Sequence, residues 1–161
     1  MVTIREADTS DWPQIWPFFR DIVAAGETYA YPQDLTSDQA RELWWEGHVV
    51  VAVDDQGAVL ASAHMGPNRP GRGAHVGTAS FMVSPAARGL GVGRALGEYC
   101  VGWHRSEGFR AIQFNAVVET NTVAVDLWRS LGFEIIGTVP EAYDSASQGL
   151  VGLHVMYLPL R

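Results

Sequence analysis

The feature that most constrains this chain is a glycine-rich turn, Arg88-Gly89-Leu90-Gly91-Val92-Gly93-Arg94, set between the apolar run Ser80-Phe81-Met82-Val83 and a segment of helical periodicity reaching about Glu107. A strand that turns through glycines into a helix belongs to an α/β arrangement. It brings free backbone N–H groups, the positive end of a helix dipole and two arginines to one point, a receptor for an anion such as a pyrophosphate. Two familiar phosphate loops do not fit. A nucleoside-triphosphate loop ends Gly-Lys-Ser/Thr, and the chain contains no lysine, which also removes a Schiff-base nucleophile. A dinucleotide fingerprint read from Gly89 puts Arg94 at its third glycine, and read from Gly91 it puts Leu96 there, where a small residue must allow helix–sheet packing.

Composition narrows the class further. With 161 residues, 47% apolar and 18% charged, the chain suffices for one core, and residues 1–161 read as a single domain. A formal charge of −7, from 11 basic and 18 acidic residues, argues against nucleic acid as a partner, since phosphate neutralisation needs a basic face. Cys100 is the one cysteine, so no intrachain disulfide forms. No basic-then-apolar leader opens the chain and no apolar run approaches a membrane span, so a soluble cytoplasmic protein without a membrane partner is expected. Its aromatic residues suggest a homodimer. No metal-ligand cluster is evident.

Along the chain, Val2 to Glu6 alternates as a strand. Trp12, Ile15, Trp16, Phe19, Ile22 and Val23 recur as one face of a helix ending at Gly26, with a kink expected at Pro17. Glu27 to Leu35 reads as loop, and Thr36-x-x-Gln39 has capping-box spacing for a second helix to about Gly47. His48–Val53 and Ala58–His64 form a hairpin. Further strands are expected at 75–83, 110–118, 134–139 and 153–158, with a helix from the glycine turn to about 107 and another over 121–131. The aromatic residues Trp12, Trp16, Trp44, Trp45 and Trp103 are assigned to packing.

The spacing Arg88-x-x-Gly91-x-Gly93 resembles the acyl-CoA-binding loop of the GCN5-related N-acetyltransferase family. The stretch Gln113-Phe114-Asn115 through Glu119-Thr120-Asn121, followed by Ala124, Leu127, Trp128, Leu131, Gly132 and Phe133, is similar to the family's second half. The two blocks cover residues 76–139. The resemblance implies a mixed sheet in the order β-α-α-β-β-β-α-β-α-β-β, helices on both faces, and fourth and fifth strands that splay apart. Acetyl-CoA lies in that gap as co-substrate, and an acceptor amine attacks its thioester directly. Its implied contacts are Phe81, Met82 and Val83, where a backbone N–H stabilises the thioester oxyanion, then Arg88, Gly89, Leu90, Gly91, Val92, Gly93 and Arg94, and finally Asn121 and Trp128.

The family's usual acid and base are missing. Trp128 stands where many members have a tyrosine, and Thr78 where many have a glutamate. Asn115 and Asn121 are the polar candidates for catalysis: asparagine is disfavoured within a strand, and Asn121 is also a natural helix N-cap. Phe114-Asn115, Asn121 and Trp128 together look like a branch that acetylates proline analogues, with phosphinothricin enzymes more distant. At pH 7 an amine of pKa about 7.8 is roughly 14% neutral and one near 10.4 only about 0.04%, so a chain without a strong base suits a small α-amino acceptor. Glu27, Thr28 and Tyr29, with His64 and Thr78, are the expected acceptor-site groups. Acetylation of proteins or peptides, and a non-catalytic acyl-CoA sensor, are the alternative readings.

Overall fold

The computed structural model describes residues 1–161. Its strands are β1 (Thr3–Glu6), β2 (His48–Val53), β3 (Val59–Pro67), β4 (Val76–Val83), β5 (Ala111–Val118), β6 (Glu134–Ser145) and β7 (Gly149–Pro159). Its helices are α1 (Trp12–Ala25), α2 (Ser37–Trp44), α3 (Val92–Ser106) and α4 (Thr122–Ser130). The strands make one sheet in the order β1-β2-β3-β4-β5-β7-β6, antiparallel except where β4 meets β5. No helix is long and apolar enough to cross a membrane.

Side-chain alternation divides the sheet between two apolar layers. On β2, Val50 and Ala52 join the cluster under α3 and α4, while Val49, Val51 and Val53 join the one under α1 and α2. The expected capping box is present: Thr36 Oγ1 accepts from Gln39 N–H and Gln39 Oε1 accepts from Thr36 N–H, so α2 starts at Ser37. It stops at Trp44, short of the expected Gly47. Helix α1 runs through Pro17, the expected place of a kink, as one element. Proline there removes a single donor, the one that would have met the carbonyl of Pro13.

The last two strands are longer than periodicity suggests. They reach Ser145 and back from Gly149, beyond the expected 134–139 and 153–158. A register shift between Val139 and Tyr143, with Glu141 at φ 52°, absorbs the irregular stretch around Pro140 and hides the strand from pattern reading.

Between β4 and β5 the pairing is confined to Val76 with Ala111 and Gly77 with Ile112. Close approach at this junction rests on Gly77. A Cβ there would run into the ring of His104, which is fully buried and donates from Nδ1 to the Cys100 carbonyl at 2.8 Å. Beyond the junction β5 keeps its pairing with β7, through a register shift between Phe114 and Val117, and parts from β4.

Candidate active site

Helix α3 begins at the glycine turn. Gly89 and Gly91 have φ of 79° and 75°, conformations that residues with a Cβ rarely adopt, and Gly91 is the N-cap. The N–H groups of Val92, Gly93 and Arg94 lie in the first helical turn and have no intrahelical acceptor. Arg88 is exposed and makes no ion pair. Arg94 pairs with Glu98 at 3.0 Å and donates to Ser130 Oγ at 2.8 Å, tying α3 to α4 while still lining the cleft. Leu90, expected in the turn's contact, is 63% exposed and outside the cleft lining.

The turn opens into a cleft of about 930 Å³ that follows the gap between β4 and β5. Which backbone groups face it is fixed by register. Ser84 N–H bonds the Leu60 carbonyl and Asn68 N–H the Val76 carbonyl, so even-numbered residues of β4 face β3 and odd-numbered ones face the gap. Ala79, Phe81 and Val83 thus present N–H and C=O toward the space that β5 vacates. Met82, expected among these contacts, also borders the cleft, but its backbone pairs with Ser62 and its side chain belongs to the layer beneath α1. Tyr29 fills the empty place beside Phe81, its hydroxyl accepting from Phe81 N–H at 2.8 Å and donating to the Phe81 carbonyl at 2.6 Å.

Trp128 forms part of the floor. It is 7% exposed and packs at 4.8 Å from both Phe81 and Phe114. A Cβ on Gly97 would stand 2.9 Å from its ring, so that glycine permits the close approach of α3 and α4. Asn121 caps α4 by accepting from Ala124 N–H at 3.4 Å, and it lines the cleft.

Thr28, Tyr29, Tyr31, Thr78, Ser80 and Asn115 gather at the other end. Asn115 is exposed within the β5 irregularity. It donates to Asn68 Oδ1 at 2.7 Å and accepts from Gln113 at 2.9 Å. Glu27 borders the cleft, but Ser147 N–H donates to one of its oxygens and the Ser145 and Ser147 hydroxyls to the other. It is a clasp between the end of α1 and the tip of the β6–β7 hairpin. Burial pushes the phenols of Tyr29, Tyr31 and Tyr143 up, leaving no phenolate at neutral pH.

His64 does not reach the cleft. It lies edge-on to Trp44, ring centroids 4.6 Å apart, on the face that β3 turns toward α2. Its Nε2 is buried without a partner, and burial lowers its pKa from 6.5 to about 4. The folded chain therefore keeps this ring neutral where the unfolded chain protonates it. Stability should be undiminished above pH 6.5, fall as pH drops below that value and level off near 4. Urea unfolding across this range checks the slope, which His64→Gln should lessen without abolishing, because burial lowers the pKa of His104 as well.

Sequence reasoning passed over Tyr31, Ser80, Tyr143 and Asn68. Ser80 was within reach, since it shares the period-two face of Thr78 and Met82. Tyr143 gave no signal, because its strand reads as loop.

The whole arrangement has counterparts among known proteins. The model of the acetyltransferase (GNAT) family matches residues 6–133. The chain belongs to the GNAT family. It is 62% identical to a GCN5-related N-acetyltransferase structure from Kribbella flavida, with a TM-score of 0.96 over 99% of this chain and 98% of that one. A phosphinothricin acetyltransferase from Sinorhizobium meliloti in complex with AcCoA is 25% identical, with a TM-score of 0.88 over 99% and 88% of the two chains. An L-methionine sulfoximine/L-methionine sulfone acetyltransferase of Pseudomonas aeruginosa is 32% identical over 86% of this chain and 84% of its own. The N-acetyltransferase aca1 of Schizosaccharomyces pombe, 27% identical, is matched over 66% of its own length.

This GNAT protein is an acyltransferase that uses acetyl-CoA, and its cleft suits that co-substrate. Unpaired N–H groups and an exposed arginine lie at one end, and the size lies within the range of ligand pockets, roughly 300–1,000 Å³.

Proposed function

We propose that this acetyltransferase passes the acetyl group directly to the amine of a small amino acid or amino-acid analogue. One observation carries the reading: the acceptor end of the cleft holds neutral hydroxyl, amide and aromatic groups, and its single carboxylate, Glu27, is already engaged by the serines of the β6–β7 hairpin. Nothing there is built to grip a polyamine or to deprotonate a lysine-type amine. The acceptor must arrive partly neutral, with water taking its proton, which suits an α-amine.

Acetyl-CoA supplies an acetyl group activated as a thioester. In our reading the N–H groups of Val92, Gly93 and Arg94, with Arg88, hold its diphosphate, and the gap-facing backbone of Ala79, Phe81 and Val83 holds its arm. Phe81 N–H stabilises the charge that develops on the carbonyl oxygen, a contribution of about 2.7–4 kcal/mol for a single well-placed donor. Asn121 fixes the start of α4 beside the arm. Thr78, Ser80 and Asn115 orient the acceptor through hydrogen bonds, and Trp128 supports the floor beneath Phe81 and Phe114. The acceptors of the Pseudomonas and Sinorhizobium relatives, methionine sulfoximine or methionine sulfone and phosphinothricin, support the acceptor class.

Thiol release from acetyl-CoA across a panel of amines tests this. Turnover is expected with zwitterionic amino-acid analogues such as methionine sulfoximine, phosphinothricin and proline analogues, and not with polyamines or aminoglycosides. Transfer to peptides alone, or binding of acetyl-CoA with no amine-dependent release, would reject it.

A further inference from the structure

Beside the acetyl-CoA arm's place, the backbone of Phe81 is already occupied. One hydroxyl serves both of its polar groups: Tyr29 accepts from the N–H at 2.8 Å and donates to the C=O at 2.6 Å. The bond pair closes the sheet edge where β5 has peeled away, as a pairing strand would.

The tyrosine is held there by its surroundings. Its ring stacks on Tyr31, centroids 5.6 Å apart at 17°, and its main-chain carbonyl accepts from Tyr143 O–H at 3.1 Å. Two residues earlier, Glu27 is clasped by Ser145 and Ser147. The short strap after α1 is therefore pinned to the β6–β7 hairpin, with Tyr29 aimed at β4.

An N–H has one hydrogen to give. If Phe81 N–H is to meet the carbonyl oxygen of a bound thioester, the tyrosine oxygen must leave. A second position for it is at hand, because Ser80, the neighbour of Phe81 on β4, lines the same cleft on the face of the strand that carries Thr78. We propose that Tyr29 is a positioning residue that occupies Phe81 in the empty enzyme, yields the site to acetyl-CoA, and turns its hydroxyl toward the acceptor end. This rests on the assignment of the cleft to acetyl-CoA. Its consequence is order: acetyl-CoA enters first, and its entry delivers the Tyr29 hydroxyl to the side where the acceptor binds.

Tyr29→Phe removes the hydroxyl and keeps the ring. The free variant should melt below the wild-type chain, because two polar groups lose their partner. Acetyl-CoA should bind it about two- to tenfold tighter by calorimetry, since no bond has to be given up. The Phe81 amide should exchange slowly in the free wild-type chain, fast in the free variant, and slowly in both with acetyl-CoA. Unchanged or weaker binding by the variant would overturn the proposal and make the hydroxyl a contact of the loaded enzyme. Should the variant not fold, the wild-type chain decides: the Tyr29 ring resonances must move on saturation with acetyl-CoA while the Phe81 amide stays protected, and unmoved resonances reject the exchange. A wild-type chain that binds neither CoA nor acetyl-CoA removes the cleft assignment itself, a result distinct from every outcome of the tyrosine variant.

Discussion

Gly91→Asp is expected to abolish stabilisation by acetyl-CoA while leaving the free protein almost as stable as before. Aspartate is among the few residues that tolerate the left-handed conformation found here, φ 75°, and a Cβ at this position meets nothing within 4 Å. Its carboxylate, however, would stand at the N-cap of α3, against the N–H groups of the first turn that we assign to the diphosphate. It competes for those donors and repels the incoming anion. At a hundred times the dissociation constant, a ligand stabilises its protein by about 2.7 kcal/mol, which for a chain of this size is a rise of roughly 5–10 °C in melting temperature. That rise should vanish in the variant. Gly57→Asp is the control: it has φ 82°, open space around it and a place in the β2–β3 turn away from the cleft, so its response to acetyl-CoA should match the wild-type chain. A Gly91→Asp protein that still melts higher with acetyl-CoA would show that the glycine turn is not the diphosphate site.

Trp128→Ala should cost about 3–5 kcal/mol in unfolding free energy, the range for truncating a large buried aromatic residue. The indole packs on Phe81, Phe114 and Phe133 and fills the space that Gly97 leaves between α3 and α4. No neighbour can collapse into that volume without moving a helix. Denaturant unfolding with an unchanged m-value would measure the loss, and a loss below about 1 kcal/mol would mean that the indole rests in the cleft without supporting the core. Trp128→Phe, which keeps much of the packing, should lose far less. Because tryptophan has no titratable proton, neither variant should remove a limb of the pH–rate profile, as loss of a catalytic tyrosine would.

The glycine turn was legible because its requirement is local. A positive φ at Gly89 and Gly91, and three N–H groups without intrahelical acceptors, follow from a few adjacent residues whatever the rest of the chain does. The helices were legible for a similar reason: the apolar face of α1 and the Thr36–Gln39 box act within one or two turns. Where pattern reading failed, a neighbour distant in sequence had overruled local preference. The β6–β7 hairpin continues through Pro140 and Glu141 because β7 supplies partners on the far side of the irregularity. Asn115 sits in the open because pairing with β4 ends at Ile112 and the β5–β7 register shifts between Phe114 and Val117, which no alternation within β5 announces.

The candidate residues divide along the same line. Thr78 and Tyr29 were named from the sequence and do border the cleft, yet their neighbours became known only in three dimensions. His64 was named with them and faces Trp44 instead. Glu27 looked like a free acid until the hairpin serines, more than a hundred residues later, were found on its oxygens.

Sequence alone determined the succession of strands and helices, the glycine turn into α3 and the residue types at positions 78 and 128, because each is a matter of residue type and short-range geometry. Tertiary structure decided which backbone groups of β4 face the gap, that Tyr29 rather than a neighbouring strand satisfies Phe81, and that the acceptor end has no free carboxylate. Those outcomes depend on the pairing of groups brought together across the sheet, and a buried hydrogen bond is formed only when distant segments fold onto the same few ångströms.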